Sequence, residues 1–242
     1  MDSATAEMVA MTAWPGIRTT AHGPWRHRFS NGYTNRANST TVLSWADDGD
    51  VDEGIDWGIA RAEADGAAPV FQISDRREFA PVAAALSKRG FGEASPTVVM
   101  TRADPSFGKR LLRNDSVDMV NGAAGEWFDA WWGLTGGSAV GERVVRAYMA
   151  RLPGEVTGAL VRHEDTAVAV GLGIVVESGV YICSMETDPH HRRQGHASAI
   201  VSELVAAANV PAVLAVEADN RAARAAYVGL GFAEVGGYRY YR

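Results

Sequence analysis

The first hundred residues alternate between strand-like and helix-like patterns of apolar and polar positions. Residues 14–45 are rich in Thr, Trp, Tyr and Phe and are interrupted by Gly and Pro, which is typical of antiparallel strands joined by turns. Two helices are predicted at residues 50–66 and 77–91, the second with Pro81 in or near its first turn. Apolar runs at residues 68–74 and 95–103 predict strands.

The second half alternates in the same way after a polar segment, residues 104–115, which we interpret as a linker or crossover. Its predicted helices and strands follow in chain order: helices at 126–137 and 140–154, strands at 157–164, 166–179 and 180–188, a helix at 197–209, a strand at 211–219, a helix at 220–232 and a strand at 238–242. Strands and helices mixed in this way predict a protein of the α/β or α+β class.

Composition excludes several classes of protein. The 242 residues carry a formal net charge of −6, so we expect neither a nucleic-acid partner nor an anionic membrane surface. The N-terminus has no basic region followed by an apolar core, and no apolar run is long enough to span a membrane, so we expect a cytoplasmic protein. A bound anion must therefore be held by a local site.

One basic stretch, "DPHHRRQGHASAI" at residues 188–200, precedes a helix whose apolar positions form a stripe. A helix N-terminus offers unpaired N–H groups and a positive dipole, Arg192 and Arg193 add charge, and Gly195 and Ala197 allow close approach of a ligand. The stretch is either a phosphate-binding loop or an ordinary polar loop entering a helix, and alone it does not decide between them.

The helix at residues 220–232 favours the phosphate loop. Asn220 can cap it, and Ala223, Ala226, Tyr227 and Leu230 share one face. On position alone Tyr227 is best explained as a core tyrosine. With the basic loop one helix and one strand earlier, its hydroxyl can instead point into the same cleft.

These two elements together resemble the Gcn5-related N-acetyltransferase (GNAT) superfamily. The family's acetyl-CoA loop, Arg/Gln-x-x-Gly-x-Gly/Ala, is matched by Arg192, Gly195 and Ala197. Its later element, Asn-x-x-Ala-x-x-x-Tyr-x-x-x-Gly-Phe, is matched by a second set of residues: Asn220, Ala223, Tyr227, Gly231 and Phe232.

The resemblance covers the chain from about Gly125 to the end. The earlier half is similar to the N-terminal portion of two-domain members, particularly through "YTNRANS" at residues 33–39, but it lacks the CoA loop. The resemblance implies a degenerate GNAT-like domain at residues 1–113 and a catalytic domain at residues 114–242. It also implies a mixed, mostly antiparallel central sheet flanked by helices, with one splayed pair of parallel strands.

The resemblance further implies acetyl-CoA as co-substrate, bound between the strands at 180–188 and 211–219. Backbone groups of Met185 to Thr187 would pair with the pantetheine arm, and N–H groups from Arg193 to Ala197 would hold the pyrophosphate. The implied cofactor-binding residues are Met185, Thr187, Arg192, Arg193, Gln194, Gly195, His196, Ala197, Ser198 and Asn220.

The implied reaction is direct attack of an amine on the thioester carbonyl. A backbone N–H near Met185 would stabilise the oxyanion, and Tyr227 would protonate or hydrogen-bond the leaving sulfur. Glu186 is the first candidate for the general base, with a solvated strand-end carboxylate as the alternative explanation, and Glu217 is a weaker candidate.

Other polar residues are given structural explanations. His190, His191 and His196 lie near the loop at a spacing that does not suit a helical metal pair, so no metal is expected. Cys183 lies in an apolar run, where a small buried side chain is the favoured interpretation. Asn35, Arg36 and Asn38 could line an acceptor pocket, although a hairpin with Asn residues in turn conformations is the better explanation.

The main functional hypothesis is an acetyl-CoA-dependent N-acetyltransferase acting on a small molecule or a peptide amine. The alternative is a non-catalytic module that binds CoA or acyl-CoA as a sensor, because a fold alone does not establish catalysis. A phosphate binder on an unrelated α/β fold is disfavoured by the Asn-Tyr helix. The sequence does not identify the acceptor, and it leaves open whether the protein forms a homodimer.

Overall fold

The computed structural model describes residues 1–45, 50–106 and 116–242. Its helices are α1 Ser3–Ala13, α2 Val51–Ala64, α3 Ala80–Lys88, α4 Gly125–Thr135, α5 Glu142–Met149, α6 His196–Ala208 and α7 Arg221–Gly229. Its strands are β1 Arg18–His22, β2 Trp25–Phe29, β3 Thr40–Val42, β4 Phe71–Ser74, β5 Glu93–Arg102, β6 Val117–Asn121, β7 Glu155–His163, β8 Thr166–Val176, β9 Gly179–Thr187, β10 Ala212–Glu217 and β11 Ala233–Tyr241.

The chain forms two compact units, and each draws on both ends of the sequence. The first unit comprises Met1–Ala13, Val99–Val216 and Asn220–Val235, and the second comprises Trp14–Val98, Glu217–Asp219 and Gly236–Arg242. The predicted boundary between residues 113 and 114 lies outside the described residues. Domains at 1–113 and 114–242 therefore stay a prediction.

The first unit contains the strand order β10-β9-β8-β7-β6. Neighbours are antiparallel from β9 to β6, whereas β9 and β10 run parallel. A Cβ on Gly171 would meet Ile200 of α6, and a Cβ on Gly158, which is paired with Leu172, would meet Trp127 of α4. Because successive residues of a strand point to opposite faces, α6 and α4 cover opposite faces of this sheet.

The second unit contains the order β1-β2-β3-β4-β11, with β3 and β4 parallel and joined through α2. One face of these strands packs on α2 and α3 around the buried side chains Trp25, Val42, Ile55, Phe71, Ile73, Phe79, Val82, Leu86 and Tyr241. Helix α2 can approach the strands closely because Gly54 and Gly58 have no side chain. A Cβ on Gly54 would lie 2.0 Å from the Trp25 ring, and a Cβ on Gly58 would lie 2.7 Å from the Phe71 ring.

The predicted fold class is confirmed: strands and helices alternate, most strand pairs are antiparallel, and helices flank the sheets. Pro81 lies in the first turn of α3, as predicted. Two elements were not predicted, α1 and the edge strand β6. Helix α1 packs against β8 and β9 through Ala6, Val9, Ala10 and Ala13, whose spacing is that of one helical face.

No helix within the described ranges is long and apolar enough to cross a lipid bilayer.

Candidate functional site

The parallel strands β9 and β10 separate partway along their length. Their register joins Val180–Ile182 to Ala212–Leu214, after which β9 continues to Thr187 and β10 to Glu217. On the side of β9 that faces β10, the backbone groups beyond Ile182 are therefore outside the β9–β10 ladder. The prediction of a splayed parallel pair at these two strands is confirmed.

A β-bulge interrupts β9 where the strands separate. The register with β8 passes from Leu172–Cys183 to Val170–Glu186, so Ser184 and Met185 together face the single residue Gly171. Ser184 has a positive φ of 51°, which is rare for a residue other than glycine. The bulge changes the direction of the strand and takes the Ser184–Met185 backbone out of the regular ladder.

The basic loop connects β9 to α6 in two steps. Asp188 accepts a hydrogen bond from the His190 N–H at 2.7 Å, which caps a short helical turn over Pro189–His191. Arg193 and Gly195 then adopt left-handed conformations, with φ of 62° and 95°. A Cβ on Gly195 would meet no protein atom within 4 Å, so the space in front of this backbone is open.

Helix α6 begins directly after Gly195, at His196. The first N–H groups of a helix have no partner inside the helix, and its N-terminus carries a positive partial charge. The side chains of Arg192, Arg193 and Gln194 are exposed, and the half-buried Ala197 and Ser198 follow in the first turn of the helix. The loop therefore has the donors and the charge that suit a pyrophosphate.

Three histidine rings lie beside the loop. The ring centroids of His163 and His191 are 4.9 Å apart, and those of His191 and His196 are 6.4 Å apart. His190 is exposed, whereas His196 is buried. Throughout residues 1–45, 50–106 and 116–242, no group of three or more His, Cys, Asp or Glu side chains could hold a metal ion.

Tyr227 of α7 lies within electrostatic reach of two β9 residues. Burial raises the pKa of the Tyr227 hydroxyl above its usual range, and the neighbouring Cys183 and Glu186 raise it further because anionic neighbours disfavour a phenolate. The phenol is therefore protonated at neutral pH. Tyr227 is half-buried, and its ring contacts Phe232 with the centroids 6.0 Å apart.

Glu186 is also half-buried, one residue beyond the bulge. Burial raises the pKa of its carboxyl group, and the positive charge of Arg192 partly offsets this rise. A carboxylate with a raised pKa is a stronger base than an exposed one. This suits the predicted role of Glu186, which stays a prediction.

The remaining predicted residues are placed as follows. The Asn220 side chain accepts a hydrogen bond from the Ala223 N–H at 3.1 Å, so its predicted capping role is confirmed. Helix α7 has no fully buried residue, and Ala226 is exposed rather than facing inward. Glu217 ends β10 and is exposed.

The second unit gives Asn38 a structural role. Its side-chain oxygen accepts hydrogen bonds from the Ser30 and Gly32 N–H groups, and its nitrogen donates to the Tyr33 and Thr34 carbonyls, at 2.7–3.0 Å. All four hydrogen-bonding positions of the amide are thus used within one turn. Asn35 begins the helical turn Asn35–Ala37, and Arg36 donates a hydrogen bond to the Tyr238 hydroxyl at 3.3 Å. A substrate role for Asn35, Arg36 and Asn38 stays a prediction.

Two residues of the first unit, Cys183 and Trp127, lie beside the candidate site in a way that the sequence did not indicate. Cys183 is half-buried and neighbours Tyr227, which differs from the buried position favoured above. Trp127 is fully buried, and its indole N–H donates to the Gly171 carbonyl at 2.8 Å. Neither contact can be predicted from a local sequence pattern, because the two partners are 44 residues apart along the chain in each case.

Comparison with known structures identifies the fold. The chain is similar to a GCN5-related N-acetyltransferase from Kribbella flavida, with a TM-score of 0.73 and 14% identity over 100% of this chain and 95% of that one. It is also similar to a functionally unknown conserved protein from Staphylococcus epidermidis, with a TM-score of 0.69 and 12% identity over 93% of each chain. A GNAT-family acetyltransferase from Colwellia psychrerythraea gives a TM-score of 0.53 and 11% identity over 100% of this chain and 97% of that one.

A search of curated protein sequences found no match. A family model described as "probable histone acetyltransferase Rv0428c C-terminal" matches residues 3–241, which is nearly the whole chain. The splayed strands, the bulge and the basic loop at a helix N-terminus agree with this assignment. The chain therefore belongs to the family of that description, and its fold is that of the GNAT superfamily.

Proposed function

We propose that this protein is an N-acetyltransferase that transfers the acetyl group of acetyl-CoA to a primary amine by direct attack in a ternary complex. The observation that carries the proposal is the grouping of Tyr227, Glu186 and the β9 bulge. It supplies a protonated phenol and a carboxylate of raised pKa beside backbone groups that lie outside the β9–β10 ladder. A sensor needs a cofactor loop but has no need of such an acid–base pair.

The residues of the loop fit acetyl-CoA. Gly195 leaves open the space that a Cβ would fill, and the exposed Arg192 and Arg193 stand beside the positive end of α6. We place the pyrophosphate against the N–H groups from Arg193 to Ala197, with the Ser198 hydroxyl as a further donor. Gln194, His196, Thr187 and Asn220 complete the proposed binding surface.

Acetyl-CoA supplies an activated thioester and a thiolate that leaves readily. The protein's part is to handle protons and charge around it. Glu186 accepts the proton of the incoming amine, directly or through water, so that the amine attacks with its lone pair free. A backbone N–H of the bulge near Met185 stabilises the negative charge that develops on the carbonyl oxygen. Tyr227 donates its proton to the departing sulfur.

The acceptor is proposed to be a small molecule or a peptide, and the family description directs the choice of the first candidates. Because that description names histones, lysine side chains of basic peptides are the first amines to test. The net charge of −6 is compatible with a cationic acceptor. No nucleic-acid or membrane partner is proposed.

The loop is tested by Gly195→Glu, which places a carboxylate where the pyrophosphate is proposed to bind. Acetyl-CoA binding by calorimetry and thiol release with histone peptides, small amines and aminoglycosides should both be lost. Gly66→Glu is the matched control, since Gly66 also has a positive φ, 67°, and also has no atom within 4 Å of its Cβ position. Binding that survives Gly195→Glu would contradict the proposed loop.

The acid is tested by Tyr227→Phe. We expect kcat to fall by about 10²-fold, at the lower end of general-acid effects, with little change in acetyl-CoA affinity. Tyr148→Phe, in a buried tyrosine of α5, should leave kcat unchanged. Tight acetyl-CoA binding by the wild type without turnover on any acceptor would instead support the sensor.

A further inference from the structure

The β8 residue opposite the β9 bulge accepts a hydrogen bond from a side chain on α4. Gly171 of β8 faces the two bulged residues Ser184 and Met185. Its carbonyl accepts a hydrogen bond from the Trp127 indole N–H at 2.8 Å, and this bond is buried. The Gly171 carbonyl thus connects the indole on α4 to the β8 residue that lies opposite the bulge.

The two faces of this part of the sheet are tightly filled. A Cβ on Gly171 would lie 2.5 Å from the Met185 sulfur and 2.5 Å from Ile200 of α6. The Met185 side chain, which belongs to the bulge, therefore lies directly against the Gly171 backbone. A side chain of any size at residue 171 would displace it.

The indole has little freedom to move on the opposite face. A Cβ on Gly158 would lie 2.5 Å from the Trp127 ring, so the ring rests on the β7 backbone. The ring also stacks on Trp131, one helical turn later, with the centroids 6.0 Å apart and the planes 5° apart. The direction of the indole N–H is thus determined by packing on α4 and β7.

We propose that Trp127 is a positioning residue for the reaction: through the Gly171 carbonyl, its N–H sets the conformation of the Ser184–Met185 bulge. This inference rests on the proposed function, in which the bulge backbone stabilises the oxyanion and pairs with pantetheine. Trp127 itself touches neither acetyl-CoA nor acceptor in this scheme. A tryptophan that only filled core volume would affect stability and leave the bulge unchanged.

The test is Trp127→Phe, which keeps a buried aromatic ring and removes the N–H donor. Trp132→Phe is the matched control, because Trp132 belongs to the same aromatic cluster on the same helix, where it contacts Phe128 and Trp131. We expect the backbone amide signals of Ser184, Met185 and Glu186 in nuclear magnetic resonance spectra to shift in Trp127→Phe and to remain in place in Trp132→Phe. These spectra are recorded on the protein without any ligand.

The kinetic measurement completes the test. In Trp127→Phe, kcat/KM for acetyl-CoA should fall by about tenfold or more, because small displacements of positioning groups have large effects on rate. The KM of the acceptor should not change. Gly171→Ala adds a Cβ that collides with the Met185 side chain of the bulge. It should also shift the Ser184, Met185 and Glu186 amide signals and lower kcat/KM for acetyl-CoA.

The outcomes separate this inference from the proposed function. Unchanged amide signals in Trp127→Phe, or equal changes in both tryptophan variants, would overturn the positioning role even in an active enzyme. Amide shifts confined to Trp127→Phe and Gly171→Ala, in a protein whose wild type shows no turnover, would uphold the role of Trp127 in setting the bulge and refute the proposed activity.

Discussion

Burial gives Glu186 and Tyr227 complementary protonation properties. It raises the pKa of both groups, which leaves the phenol a proton donor and makes the carboxylate a stronger base. The same environment thus suits two opposite proton transfers, a pattern common in enzymes that use acid and base together. Arg192 moderates the effect on Glu186, so the loop that is proposed to bind phosphate also acts on the proposed base.

The pH dependence of activity tests Glu186. A base works only when deprotonated, so kcat/KM should fall as pH falls, and the raised pKa should place this fall at a higher pH than for an exposed glutamate. In Glu186→Gln we expect a loss of about 10²-fold and the disappearance of this acidic limb. Glu177→Gln, in an exposed glutamate just beyond β8, is the control. An acidic limb that persists in Glu186→Gln would assign it to another group.

The two units use the same strand–helix–strand element with opposite charge. In the first unit, the basic loop joins β9 to α6, and β9 and β10 are parallel. In the second unit, β3, α2 and β4 are also parallel and joined through a helix. Asp50 caps α2 by accepting from the Glu53 N–H at 2.9 Å, and Asp52 and Glu53 lie in its first turn. These carboxylates occupy the helix end that a phosphate would otherwise favour, which supports the proposal of a degenerate partner domain.

Helix α1 belongs to the first unit although it begins the chain, and this gives a prediction at the level of elements. Ala6→Glu should lower the free energy of unfolding of this unit by about 3 kcal/mol or more, because Ala6 is fully buried and a carboxylate there is both oversized and unpaired. Met8→Glu on the same helix, where Met8 is 46% exposed, should change it by about 0.5 kcal/mol or less.

Denaturant titration of the two variants measures the difference. Equal stability of Ala6→Glu and Met8→Glu would contradict the packing of α1 on β8 and β9.

At the scale of the whole molecule, each unit depends on segments that are distant in the sequence. The first unit needs residues 1–13, and the second needs residues 236–242, which supply the part of β11 that pairs with β4. We therefore expect that residues 114–242 alone would lack a helix that the first unit buries. The division into compact units therefore does not coincide with a single cut of the chain.

The second unit should have its own dependence on pH. Burial lowers the pKa of His27 below 6.5, and this outweighs the opposing effect of Asp65, which lies 3.2 Å from the imidazole Nε2. As pH falls through 6.5, the unfolded chain takes up a proton at His27 more readily than the folded one, so the second unit should lose stability below that pH and not above it.

Hydrogen exchange of peptides from β2 and β3, followed between pH 8 and pH 5 with exchange rates corrected for pH, measures this effect. His27→Gln should weaken the dependence, and His22→Gln, at an exposed position in β1, should leave it in place. A dependence that is identical in both variants would assign it to other groups.

Much of this protein is determined by stretches of consecutive residues. The Gly195 loop, the helix α6 that follows it and the Asn220-to-Tyr227 helix were predictable because caps, helix N-termini and left-handed glycines are local features of the backbone. Apolar periodicity likewise predicted most helices and strands. Ile200, Val201 and Leu204 are buried as their spacing predicted.

Other features were decided only by the tertiary structure. The bulge at Ser184, the approach of Cys183 and Glu186 to Tyr227, and the hydrogen bond from Trp127 to Gly171 join residues far apart in the chain. Strand register and side-chain burial depend on which elements pack together, and the pattern within one segment does not contain that information. The sequence by itself thus determined the family and the loop, whereas long-range packing decided which residues stand beside Tyr227 and Glu186 and in which direction their pKa values shift.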